Sequence, residues 1–110
     1  MELPPEYLRG IDLFNAGRYF ECHEAWETIW LNASGTEREF LHAMIQVAAS
    51  LLHFQRGNLT GAASVYERAR RTLETMPSFV MQLDTMEIMR EVEAFFSAKQ
   101  TSPPQIKLNR

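Results

Sequence analysis

The residues from about Tyr19 to Leu31 place a histidine and a carboxylate in the middle of an apolar helix face. At about 100° per residue, one side of such a helix carries Tyr19, Phe20, His23, Trp26, Glu27, Trp30 and Leu31. His23 and Glu27 are four positions apart and therefore neighbours on the helix surface, and Glu24 lies at the edge of the same face. A buried carboxylate without a partner costs on the order of several kcal/mol, so we expect Glu27 to be partly buried and hydrogen-bonded.

A second polar stripe lies on the next predicted helix, which is otherwise largely apolar. His42, Gln46 and His53 share one side of it, beside the small residues Ala43 and Ala49, which would let another helix approach closely. We therefore predict that the two stripes face each other and converge. The predicted polar cluster is His23, Glu24, Glu27, Gln46, His53 and Asn58, and its predicted aromatic lining is Tyr19, Trp26 and Trp30.

A metal centre is one interpretation of this cluster. His23-Glu24-x-x-Glu27 is similar to the helix of zinc proteases, but that motif needs histidine at its first and fifth positions and here the fifth is Glu27. The Glu-x-x-His pattern of di-iron bundles is absent from the sequence. Two imidazoles and one carboxylate can still hold a divalent metal such as zinc, so the alternative is a metal-dependent, hydrolase-like enzyme using His23, Glu27 and His53.

Two interpretations need no cofactor, and the second is favoured. Glu24 and Glu27, with His23, could perform acid–base chemistry if burial shifts their pKa values toward neutrality. However, no nucleophile or phosphate-cradling glycine loop accompanies them, and Cys22 is expected to be a small core residue. In the favoured interpretation, the cluster is a satisfied hydrogen-bond network or binds a small ligand, and the protein is a binding or assembly module. The residues leave open whether it is an enzyme.

Helix signals position these residues along the chain. Pro4 and Pro5 suit a first helical turn, and Gly17 can end that helix in a left-handed cap. The second helix runs to about Leu31, and a Thr36-x-x-Glu39 capping box opens a third helix that continues to about residue 55.

The later helices have their own caps. Asn58 can cap a fourth helix, and Asp84 can cap a last long one. Between them, a short helical turn is expected at Phe79, Val80 and Leu83.

These elements predict an all-α fold. We expect a compact five- to six-helix bundle in which the third helix, about residues 37–55, is buried and surrounded by the others. Residues 1–100 are predicted to form a single helical domain. Residues 101–110 are predicted to be an extended or disordered tail unless they dock on a neighbour.

Composition and sequence pattern limit the cellular compartment and the binding partners that we expect for the protein. The 110 residues carry a net charge of -3, with one cysteine and no signal-peptide pattern, so we expect a cytoplasmic protein. No segment is apolar for the length of a membrane span. Nucleic-acid binding is not expected, because the arginines near residue 70 lie one helical turn from glutamates. The partner is unknown, and a homo-oligomer formed through an exposed apolar strip is one candidate.

Two blocks of sequence resemble a known family, domain of unknown function 309. The first is Phe14-x-x-Gly17-x-Tyr19-Phe20-x-x-His23-Glu24-x-x-Glu27-x-x-Trp30. The second is Ile45-Gln46-x-Ala48-x-x-x-x-His53, followed by Gly57-Asn58-x-x-Gly61-Ala62. The resemblance covers roughly residues 7–75 and implies a small, all-helical prokaryotic protein with one central helix. It implies no known activity.

Overall fold

Five helices and one short hairpin make up the computed structural model, which describes residues 2–109. The helices are α1 (Pro5–Asn15), α2 (Tyr19–Trp30), α3 (Gly35–Gln55), α4 (Leu59–Leu73) and α5 (Thr85–Phe96). The strands are β1 (Phe79–Val80) and β2 (Leu83–Asp84). The predicted all-α bundle is confirmed.

Helix α3 is the central element, as its apolar sequence predicts. It packs against both α2 and α4, while α1 packs against α2. A helix that is apolar around most of its circumference must be covered on several sides. Its buried residues are Phe40, Leu41, Ala43, Met44, Ile45, Val47, Ala48, Ser50 and Leu51.

Gly17 and Gly57 end α1 and α3 in the left-handed conformation, with φ of 76° and 79°. After α1, the amide of Gly17 donates to the carbonyl of Phe14 and that of Arg18 donates to Leu13. The chain therefore reverses within a few residues, which lets α2 return along α1.

The predicted capping box of α3 is not formed. The helix begins at Gly35 with Ser34 at the N-cap position, and no side chain there accepts a cap hydrogen bond. Gly35 has φ of 61°, a conformation that glycine adopts without strain, so the helix starts one residue before Thr36.

The prediction of a helical turn at Phe79, Val80 and Leu83 was wrong. These residues form an antiparallel hairpin in which Phe79 pairs with Asp84 and Val80 pairs with Leu83. The Tyr7 hydroxyl donates to the carbonyl of Met81 at the tip (2.9 Å), so the hairpin is held by a contact from α1 that local sequence does not reveal.

Two of the three arginines of α4 are paired with glutamates, as their spacing predicts. Arg70 bonds to both Glu67 and Glu74, and Arg71 Nε lies 3.5 Å from Glu67 Oε1. The hydrogen bond from Arg70 holds the pKa of the Glu67 carboxyl below its usual value. Among the helices of residues 2–109, none combines the length and apolarity needed to cross a membrane.

Candidate functional site

The structure divides the predicted polar cluster into separate pairs. On α2, His23 Nδ1 lies 3.3 Å from Glu27 Oε1, which confirms the contact expected from their spacing. At the start of α4, Asn58 Nδ2 lies 3.3 Å from His53 Nδ1. No hydrogen bond joins the two pairs within the part of the chain that the structure describes.

The expected burial of the carboxylate does not hold. The Glu27 side chain is 50% exposed and that of His23 is 30% exposed, while Glu24 is also exposed and Gln46 is half-buried. The reason is that the buried face of α2 is not centred on His23 and Glu27, contrary to what the sequence pattern predicts. Its buried residues are Tyr19, Cys22, Ala25 and Trp26, which places His23 and Glu27 on the flank of the helix.

The three residues considered as metal ligands, His23, Glu27 and His53, do not come together. Within residues 2–109 no group of three or more histidine, cysteine, aspartate or glutamate side chains could hold a metal ion. This donor set therefore does not fit a divalent metal without rearrangement.

Trp26, predicted to line the cluster, belongs to the core. It is fully buried, stacks on Phe14 with ring centroids 6.1 Å apart, and donates its indole N–H to the carbonyl of Tyr7 (3.2 Å). Gly10 of α1 lies directly against the indole, where no side chain would fit.

Tyr19 is also a core residue, and its hydroxyl has no hydrogen-bond partner in the described structure. Its ring packs edge-on against Phe14 at 5.4 Å. Burial raises the pKa of Tyr19 to about 12. Burial also raises the pKa of the Cys22 thiol, which is fully enclosed, so this cysteine is a poor nucleophile.

Trp30, in contrast, lies half-buried at the surface and contacts two side chains of α3, Arg38 and His42. The Arg38 guanidinium lies 4.3 Å from the ring centroid, and the His42 ring stacks on the indole at 5.6 Å. Arg38 also donates to the carbonyls of Trp30 (3.0 Å) and Ala33 (3.3 Å), at the end of α2 and just beyond it. These contacts fix the indole in one position.

A surface hollow of about 340 Å³ lies beside Trp30 on the exposed side of α2. Its lining combines two carboxylates with an indole and an isobutyl group. Its lining residues are Glu24, Glu27, Thr28, Trp30 and Leu31. The arrangement offers negative charge next to apolar surface, which suits a cation carried on an aliphatic stem.

Sequence reasoning found three of these lining residues, Glu24, Glu27 and Trp30, but did not predict that Arg38 and His42 contact Trp30. The available signal was the four-residue spacing of Arg38 and His42, which puts both on one face of α3. That face points at the end of α2 because the loop 31–34 is short.

Three comparisons place the chain among known proteins. A family model described as "Domain of unknown function (DUF309)" matches residues 7–65. The chain is 34% identical over 73 residues to "Uncharacterized protein YpuF" of Bacillus subtilis (strain 168), a match that covers 64% of this chain and 42% of that protein. The chain thus spans less than half of that relative's length.

The crystal structure of a conserved hypothetical protein from Thermus thermophilus is similar in fold. It is 32% identical with a TM-score of 0.76, and the match covers 86% of this chain and 99% of that one. Residues 7–65, which the family model matches, contain the whole of α2 and α3 and therefore the whole hollow.

Proposed function

The chain belongs to the DUF309 family, and on that premise we propose that it is a binding module whose α2 hollow takes a lysine or arginine side chain of a partner protein. The observation that carries this proposal is the pair Glu24 and Glu27, exposed one turn apart beside the indole of Trp30.

Charge favours a cationic ligand. Helix α2 contains three glutamates and no lysine or arginine. Glu21 is bonded to Arg18, but in the described structure Glu24 has no ion pair and the only ion-pair partner of Glu27 is His23. Like charges one turn apart on a helix repel each other, so a bound cation would relieve an unfavourable interaction.

The apolar side chains that line the hollow favour a cation carried on a long aliphatic chain. Leu31 is 67% exposed, and Trp30 is half-buried beside it. A lysine or arginine can lay its methylene groups on these side chains while its charged end reaches the carboxylates. Because Arg38 and His42 already hold the indole, little side-chain entropy remains to be lost on binding.

The hollow is less suited to catalysis. Thr28 supplies its only hydroxyl, and that group donates to the carbonyl of Ala25 at 2.7 Å. An open hollow also leaves the carboxylates in contact with water, which weakens the electrostatic effects on which acid–base catalysis depends.

An NMR titration tests the proposal. The probe is a short acetylated peptide containing two lysines, and its control replaces both lysines with norleucine. We expect the lysine peptide to shift amide signals of residues 24–31 and the indole signal of Trp30. Because surface charges are screened by salt, the shifts should weaken between low and high ionic strength.

Two double variants with equal loss of charge complete the test. Glu24→Gln with Glu27→Gln should weaken binding at least tenfold, a change of about 1.4 kcal/mol. Glu2→Gln with Asp12→Asn removes two exposed carboxylates elsewhere and should leave binding unchanged. Equal effects of the two double variants, or binding of the norleucine peptide at equal affinity, would contradict the proposal.

A further inference from the structure

An extended segment crosses back over the end of α1. We call this segment, residues 104–109, the strap. It contains no helix or strand, yet its Ile106 is only 3% exposed. The sequence predicts an extended or disordered tail, and the structure adds that this tail docks on its own chain.

Asn15, the last residue of α1, binds the strap main chain through both atoms of its side-chain amide. Its Nδ2 donates to the carbonyl of Ile106 (2.8 Å), and its Oδ1 accepts from the amide of Ile106 (2.8 Å). In an antiparallel sheet, a residue forms the same two hydrogen bonds, one through its amide and one through its carbonyl, with a residue of the neighbouring strand. It recognises an extended backbone whatever side chain the residue carries.

The flanking contacts also involve the main chain of the strap. Glu91 Oε1 accepts from the amide of Gln105 (3.0 Å), and the carbonyl of Gln82 accepts from the amide of Asn109 (2.7 Å). Helix α5 and the hairpin tip therefore hold the strap at either side of Ile106, so three separate elements form one groove.

Side chains along the strap alternate in burial. Pro104 and Ile106 are buried and Leu108 is half-buried, whereas Gln105 and Lys107 are exposed. This period of two is the pattern of an extended chain with one apolar side.

The strap does not fill the groove, because a hollow of about 300 Å³ remains beside Ile106 and Lys107. Three acidic side chains of α5 and its cap line the same hollow as Lys107, namely Asp84, Glu87 and Glu91. The groove thus matches a basic residue that follows a central aliphatic one.

We propose that this groove is a binding site for extended peptide segments of a partner protein, and that the strap occupies it in the absence of that partner. The peptide it fits has apolar residues at alternate positions and a lysine or arginine directly after the central aliphatic residue. Many peptide-binding proteins form hydrogen bonds with the main chain of an extended peptide and accept its alternate side chains in pockets. The site is separate from the α2 hollow and does not depend on it.

The tether to α5 allows exchange. Residues 97–103 are exposed except for the half-buried Gln100. Ala98 has φ of 61° in the turn that ends α5, where the amides of Lys99 and Gln100 donate to the carbonyl of Ala94 (2.8 and 3.2 Å), so the exposed residues 101–103 are the part of the connection that can move with the strap. A tethered strap competes with an added peptide at an effective concentration of about millimolar.

Fluorescence anisotropy with a labelled peptide of the strap sequence, residues 102–109, tests the proposal in the full chain. The wild-type protein should bind the peptide weakly. Ile106→Ala, which loosens the tethered strap and leaves the groove intact, should bind it at least tenfold more tightly. Should Ile106→Ala lose helical circular dichroism, the milder Ile106→Val should show a smaller increase of the same sign.

Two controls identify the groove. Adding Asn15→Ala to the Ile106→Ala protein should weaken peptide binding at least tenfold, whereas adding Asn32→Ala, an exposed asparagine in another loop, should not change it. A peptide with serine in place of its isoleucine should not bind. A folded Ile106 variant that fails to bind the peptide, or binding that Asn15→Ala leaves intact, would overturn the proposal.

Discussion

Gly10 shows how one residue sets the distance between two helices. A Cβ at this position would lie 2.7 Å from indole Cε2 of Trp26 and closer still to Nε1 and Cδ1. The absence of a side chain therefore lets the buried tryptophan of α2 pack on the backbone of α1. This contact also brings the indole N–H to the carbonyl of Tyr7, which satisfies a buried donor.

We expect Gly10→Ala to destabilise the fold although alanine is the better helix former. The gain in helix propensity is about 0.5–1 kcal/mol, whereas forcing a buried indole out of a packed site costs about 1–3 kcal/mol or more. Urea unfolding followed by circular dichroism measures the difference. Asp12→Ala, an exposed change on the same helix, serves as the control and should differ little from wild type. A Gly10→Ala midpoint equal to that of the wild type would refute the packing argument.

Side-chain caps explain where two of the five helices, α4 and α5, begin. Asn58 accepts from the amide of Gly61 (2.9 Å), and Asp84 accepts from that of Glu87 (3.0 Å). Both caps follow from sequence alone, because an asparagine or aspartate before a helical pattern is a local signal. Asn58 also belongs to the predicted polar cluster, and its contact to His53 is the second of its two roles.

Substitution at Asn58 separates the cap from the contact with His53. Asn58→Ala removes both and should lower the free energy of unfolding by about 1 kcal/mol. Asn58→Asp keeps the acceptor for Gly61 and should retain most of the stability, even though it removes the amide donor near His53. Thermal and urea unfolding of the two variants provide the measurement. If aspartate destabilises as much as alanine, the cap is not the main contribution.

Elements that depend on distant contacts could not be predicted from sequence. The hairpin tip places Met81 and Gln82 at positive φ (48° and 64°), where asparagine and glycine are the usual signals. Contacts from Tyr7 and Asn109 hold those two residues instead.

The same limit applies to the candidate site. The His23–Glu27 pair follows from helical spacing. Whether those side chains face α3 or solvent depends on which face of α2 packs, and that is decided by Trp26 meeting Gly10.

All three tyrosines and the cysteine are buried in one continuous core. Burial raises the pKa values of Tyr7, Tyr19, Tyr66 and Cys22, and at Tyr66 the hydrogen bond to Glu93 adds to the effect. Each group is therefore neutral in the folded protein at a pH where it is ionised in the unfolded chain. The folded state binds more protons there, so stability must fall as pH rises.

We expect this loss to be largest above pH 10, and Tyr19 makes it measurable. Its pKa is raised from 10.0 to about 12, so its contribution is full below pH 10 and lost between pH 10 and 12. In this range a single such group lowers the free energy of unfolding by about 1.4 kcal/mol for each unit that the pH rises. Tyr19→Phe should reduce the slope by that amount in urea unfolding across this range. At pH 8 it should not destabilise, because the hydroxyl it removes has no partner. An unchanged slope in Tyr19→Phe would contradict the prediction.

The hydrogen bonds between Asn15 and Ile106 join residues 91 positions apart, whereas most helical contacts join neighbours in sequence. Closing so long a loop costs conformational entropy that the contacts must offset, so we expect the strap to dock after the helices have assembled. By the same reasoning, it is released before the bundle unfolds. We therefore expect a state that keeps every helix and leaves the groove vacant, both late in folding and early in unfolding, and a chain in that state would be open to a competing peptide.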